Sequence, residues 1–223
     1  MERIADFAAS LITNFAAVFV VCLFISRKLF SKFLFLNLYL LLSVTAFVVG
    51  FVLLDRSGPV SNWYRYSYFV GEMLMMTFLF LAICELSWRL FGDEIPRREI
   101  TTWGSIAFTF AVLLSFRSPE FQSGWENVTS FCWTLSQNLF FVCCFAIVVL
   151  WLWRLRSAPE NHIAVQFLNV LLVYFLVTLF LYMPKSTVPH HTINNLFFML
   201  TAWVPLGCGF ALASYHQPRK VDI

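Results

Sequence analysis

Seven apolar runs, each about long enough to cross a lipid bilayer, follow one another along this chain. They lie at roughly 7–26, 33–54, 66–91, 102–116, 128–153, 163–183 and 194–214. An α-helix rising 1.5 Å per residue needs about 20 apolar residues to traverse the hydrocarbon layer. Seven such spans with short connections consume nearly all of the 223 residues, so no separate soluble domain fits beside them. Composition agrees: 12% of the residues are charged, whereas soluble domains carry about 25%. The expected fold is all-α, a polytopic membrane protein forming one seven-helix transmembrane domain over 1–223. The fourth run is the shortest. Trp103 and Arg117 mark its ends as interfacial anchors, and omitting it would put the loop charges out of phase.

The loop charges set an orientation. Arg27, Lys28 and Lys32 join spans 1 and 2, Arg89, Arg97 and Arg98 join spans 3 and 4, Arg154 and Arg156 join spans 5 and 6, and Arg219 and Lys220 follow span 7. The other side holds only Arg3, Arg56, Arg65, Arg117 and Lys185. Cytoplasmic loops are enriched in Lys and Arg, so the first group is expected inside, with the N-terminus outside and the C-terminus in the cytoplasm. Aromatic residues suited to the interface agree: Trp63, Tyr64, Tyr66, Trp125 and Tyr182 fall at the outer ends, and Trp88, Trp103, Trp151, Trp153 and Tyr215 at the inner ones. The start of the chain lacks a clear basic segment and a cleavage site, so the first helix is expected to be retained.

Acids inside the membrane are the most informative side chains, because a charge in the hydrocarbon core costs about 2.5–3.5 kcal/mol on insertion scales. Span 3 holds two, Glu72 and Glu85. Thirteen residues separate them, about 20 Å along the helix and about 220° around it, so they cannot act as a carboxylate pair. Arg89 follows Glu85 by four residues, the favourable order for a helix ion pair. Glu72 has no basic residue within a turn. It must therefore be protonated, bonded to another helix, or open to a wet cavity.

Matching depths across spans yields two candidate polar sites. One combines Glu72 with Asn14, Gln137 and Asn138; the other combines Glu85 and Arg89 with Asn37 and Asn169. Both have a plain alternative, since interhelical hydrogen bonds of this kind average only about 0.6 kcal/mol and commonly serve as helix glue. Met73, Met75 and Met76 near Glu72 suit an adaptable apolar lining, with ordinary packing as the simpler reading. The echo of Phe35-Leu36-Asn37 in Phe167-Leu168-Asn169 is too short to establish an internal repeat.

Several chemistries are disfavoured. Cys22, Cys84, Cys132, Cys143, Cys144 and Cys208 all lie in apolar runs without Cys-x-x-Cys spacing, as small packing residues do. His162, His190, His191 and His216 sit at span ends or in loops, unsuited to axial ligation of a membrane haem. A retinal protein needs a Schiff-base lysine in its last span, and Lys28, Lys32, Lys185 and Lys220 all fall elsewhere. Glu85-x-x-x-Arg89 and His191-x-x-x-Asn195 echo pieces of intramembrane glutamate proteases, but the second glutamate is missing and the predicted topology places the halves on opposite faces. Asn127-Val128-Thr129 is a glycosylation sequon too near the membrane to accept a glycan well. No catalytic residue, metal site or cofactor is expected.

Three segments carry a family resemblance: Arg27-Lys28-Leu29-Phe30 before Phe33-Leu34-Phe35, Tyr68-Phe69-Val70-Gly71-Glu72, and Ile83-Cys84-Glu85-Leu86 before Arg89-Leu90-Phe91. Spans 1 to 3 thereby resemble a group of uncharacterised small seven-span membrane proteins abundant in acidobacterial genomes. The resemblance implies a topology and makes Glu72 and Glu85 the positions to test first. The expected role is a non-enzymatic accessory, sensory or assembly component of a bacterial inner membrane. Its expected partners are the lipid bilayer and another membrane protein, with no nucleic acid. The alternative is a small carrier or binding protein for a lipid-like or small amphiphilic solute.

Overall fold

The computed structural model describes residues 2–58, 61–92, 94–117, 125–156, 162–182 and 203–214. All regular structure among them is helical: α1 (Glu2–Ser26), a 3-10 turn (Ser31–Phe33), α2 (Leu34–Ser57), α3 (Asn62–Phe91), α4 (Arg97–Phe116), α5 (Trp125–Arg154) and α6 (His162–Tyr182), then α7 (Trp203–Ala213). Five segments are long and apolar enough to cross a membrane: Ser31–Arg56, Asn62–Phe91, Arg97–Phe116, Val128–Arg154 and His162–Leu179. The described apolar parts of α1 and α7, Leu11–Ser26 and Trp203–Ala213, are shorter. The sequence-predicted seventh run begins at 194, and its portion before Trp203 lies outside the described residues. So do Lys185, His190, His191, Asn195, Tyr215, His216, Arg219 and Lys220, together with the side chain of Asn127.

α3 is the hub. It packs against α2, α4, α5 and α6, while α1 leans on α2 and both α4 and α6 lean on α5. α7 closes on α6 and α1. The indole N–H of Trp203 donates to the carbonyl of Val170 at 3.1 Å, and a Cβ built on Gly209 would stand 3.1 Å from Val20. The core runs along the hub through Leu79, Ile83 and Leu86 of α3, Leu139, Cys143 and Ile147 of α5, and Phe167, Leu171 and Phe175 of α6.

The outer surface has the character of that core. Phe15, Phe145 and Phe210 are 68%, 74% and 75% exposed, on three different helices. A water-soluble monomer rarely shows so much apolar surface, whereas lipid tails cover it without cost. Polar side chains within the spans turn back onto their own helices, as lipid requires: the hydroxyls of Thr45, Thr77, Ser87 and Thr178 donate to carbonyls one turn earlier. Multi-pass membrane architecture follows from these features together.

α1 ends in a Schellman turn. Lys28 takes the left-handed conformation (φ 56), its N–H bonds Ile25 at 3.0 Å, and the Leu29 N–H bonds Phe24 at 2.9 Å. Leu29 is then buried, and the chain re-enters the bundle through the 3-10 turn with Arg27, Lys28 and Lys32 in the connection. At its far end α2 stops at Gly58 (φ 75), whose N–H bonds Leu54 at 3.1 Å.

Candidate functional site: the two intramembrane acids

α2 starts with a chemical problem. Its N-cap is Phe33, which has no side-chain oxygen to satisfy the first N–H groups. Glu85 of α3 solves it from a distance: one carboxylate oxygen accepts the N–H of Leu34 at 3.3 Å and the other that of Phe35 at 3.2 Å. An anion at a helix N-terminus also meets the positive end of the helix dipole. Arg89, one turn along α3, lies 3.4 Å from Glu85. Its guanidinium sits over the rings of Phe33 (5.0 Å) and Trp88 (5.6 Å).

Asn37 completes this knot. It is fully buried, and its amide nitrogen donates to the carbonyls of Phe33 at 2.7 Å and Phe30 at 3.4 Å. Glu85, Arg89 and Asn37 thus come together around one helix start. The Phe33 ring carries the knot onto α1 and α6, edge-on to Phe167 at 4.9 Å and tilted against Phe24 at 5.9 Å. Asn169, grouped with these residues by depth, makes its bond elsewhere: its carbonyl oxygen accepts from Arg154 at 2.9 Å, joining α6 to α5. Glu94 and Arg97 extend the polar rim, with Glu94 accepting from the Trp153 indole at 3.2 Å and Arg97 lying 4.1 Å over the Trp88 ring.

The amide of Asn138 donates to the Ser115 hydroxyl at 2.9 Å and to the Ala111 carbonyl at 3.4 Å, clasping α5 to α4. Asn14 is half-buried on α1, which packs on α2, and Gln137 is half-buried on α5. Glu72 is half-buried on α3. Tyr68, one turn earlier, donates its hydroxyl to the Glu72 carboxyl group. The Oε2 atom of Glu72 is buried without a hydrogen-bond partner among the described residues. Met73 and Met76 pack against the core beside it.

Ser115, Arg154 and the Leu34 and Phe35 N–H groups belong to these networks and were not among the sequence candidates. Ser115 is a small residue at the end of an apolar run, and Arg154 reads as a topology charge. No sequence pattern marks a backbone group as uncapped except the apolar residue at its N-cap. The six cysteines are free thiols, and no group of three or more metal-ligating side chains occurs among the described residues. Comparison of the chain with protein families, with curated proteins and with solved structures finds no match.

Proposed function

We propose that this chain is a seven-span protein of a bacterial inner membrane, with the start of α1 outside and the segment after α7 in the cytoplasm, acting as a non-enzymatic accessory, sensory or assembly component. The likeness of spans 1 to 3 to the small acidobacterial seven-span proteins is part of this reading. Five span-length helices support it, flanked by α1 and α7 and by connections whose Arg and Lys residues alternate in density from side to side.

The observation that carries the role is how the inner polar group is used. Both oxygens of Glu85 are occupied by the α2 backbone, Asn37 by the carbonyls of the preceding turn, and Asn169 by Arg154. The Glu85 and Asn169 bonds tie helix to helix and the Asn37 bonds brace the turn before α2; of this group, Asn37 Oδ1 and Arg89 Nε are buried without a hydrogen-bond partner among the described residues. The apolar faces of α4 and α5, by contrast, offer Phe110, Leu113 and Phe145 to lipid or to a neighbouring transmembrane helix. The buried Oε2 of Glu72 favours this role over a solute carrier built on that residue.

The test is a pair of measurements on the full chain. Reporter fusions after α2 and α4 are expected to read outside, and those after α1, α3 and α5 inside. Crosslinking in native membranes from positions 110, 113 and 145 should capture a stoichiometric membrane partner. A purified chain that has no partner and turns over a substrate by itself would overturn the accessory role.

A further inference from the structure

Glu72 is the one intramembrane acid that the helix-capping network leaves unused. Its turn of α3 is wedged between two neighbours: a Cβ on Gly71 would stand 3.5 Å from Ala46 of α2, and Phe69 meets Trp133 of α5 edge-on at 5.9 Å. Glu72 shares a helical stripe with Met76, Leu79 and Ile83, the last two fully buried, so its carboxyl group points into the bundle. Tyr68 donates to that group, and Oε2 remains buried and unpartnered among the described residues.

Among the described residues, no countercharge approaches from the packed helices. On α2 the charged residues Asp55 and Arg56 are exposed at the far end. α4 has none between Glu99 and Arg117, α5 none between Glu126 and Arg154, and α6 none between His162 and Tyr182. On α3 itself Arg65 is exposed and Glu85 caps α2. The titratable side chain that meets Glu72 is Tyr68. An ionised Glu72 would therefore be a bare charge inside the bundle, whereas the neutral acid carries none.

Size selects the ligand. Oε2 exposes less than 1 Å², which no organic cation or hydrated metal ion can approach. A proton needs no such opening. We infer that Glu72 is a proton-binding site of the membrane domain, occupied at neutral pH and exchanging with water by way of the Tyr68 hydroxyl, one turn nearer the start of α3. Binding joins one proton to the carboxylate and removes one negative charge from between α2 and α5; release restores it. The inference rests on the multi-pass membrane reading and not on the accessory role, and the reporter fusions test that topology separately.

Purified full-length protein in lipid nanodiscs is treated with dicyclohexylcarbodiimide, which reacts with protonated carboxyl groups in apolar surroundings, at about pH 7.5, where water-exposed carboxyl groups are ionised. Peptide mass spectrometry should find the adduct on Glu72, at least about tenfold above Glu85, the difference one pH unit makes in a protonated fraction, and none in Glu72→Gln. The infrared spectrum should show a protonated carboxyl C=O band that Glu72→Gln removes, that shifts on transfer to deuterated water, and whose shift slows in Tyr68→Phe. A missing band in the wild type overturns the site even if reagent access fails. A band that never shifts overturns exchange with water.

Discussion

Glu85 of α3 accepts the backbone N–H of Phe35, 50 residues earlier in the chain, at 3.2 Å, and so caps the start of α2. The arrangement couples the α1–α2 turn to the hub helix through a charged hydrogen bond, stronger than a bond between neutral groups. Glu85→Ala is expected to lower stability by about 1–2 kcal/mol, the usual effect of losing a helix cap, with a further loss from the unpaired Arg89. Glu85→Gln, which keeps one acceptor, should lie between the wild type and Glu85→Ala. Reversible unfolding in mixed micelles measures all three. Equal stability of Glu85→Ala and the wild type would mean that water satisfies Leu34 and Phe35.

The Asn138–Ser115 bond at 2.9 Å is the shorter of two direct hydrogen bonds from Asn138 of α5 to α4. Each partner has a fallback, since the Ser115 hydroxyl also donates to Ala111 at 2.7 Å. The coupling in a double-mutant cycle of Asn138→Leu and Ser115→Ala should accordingly be about 0.6 kcal/mol, the average for interhelical bonds in a membrane. Additive single effects in the same unfolding assay would show that the clasp contributes nothing to helix pairing.

The regions that became helices were legible because hydropathy reports a helix's environment over about 20 residues at a time. The Glu85–Arg89 pair was legible for a similar reason: its spacing of four is local to one helix. Which helices exchange hydrogen bonds was not. Depth along the membrane grouped Asn138, nearer the midplane, with Glu72, but the direction of a side chain around its helix decides its partner, and Asn138 faces α4. Asn169 was placed with Glu85 on the same ground and instead meets Arg154, whose long side chain reaches across from α5. Low amphipathicity is the physical cause: when lipid and core are both apolar, the sequence carries little record of which face turns inward.

Phe33 stands where three parts of the knot meet, against Phe24, Phe167 and the Arg89 guanidinium. Phe33→Leu keeps an apolar side chain of similar bulk and removes the ring-specific contacts. Aromatic pairs contribute about 0.5–1.5 kcal/mol beyond buried area, and a cation over a ring about 0.5–2 kcal/mol, so a loss of about 1–3 kcal/mol is expected. Trp88, the other ring under Arg89, should become more protected from a fluorescence quencher as the guanidinium settles on it. An unchanged unfolding midpoint would assign the stability of this corner to apolar burial alone.

Two glycines inside helices make opposite predictions. A Cβ on Gly207 would lie 2.7 and 2.9 Å from the two methyl groups of Val170, and one on Gly50 would meet nothing within 4 Å. Valine is stiff at χ1 and cannot swing aside without turning its other methyl into the same helix contact. Gly207→Ala must therefore push α7 from α6, stretching the Trp203 bond to Val170, at a cost of about 1–3 kcal/mol for an overpacked core. Gly50→Ala adds helix propensity at an open position and should stabilise by about 0.5–1 kcal/mol. The combination Gly207→Ala with Val170→Ala relieves the clash and should recover much of the loss, leaving the cost of the smaller residue at 170. If Gly207→Ala is neutral and the second change rescues nothing, α7 does not dock on α6 through this contact.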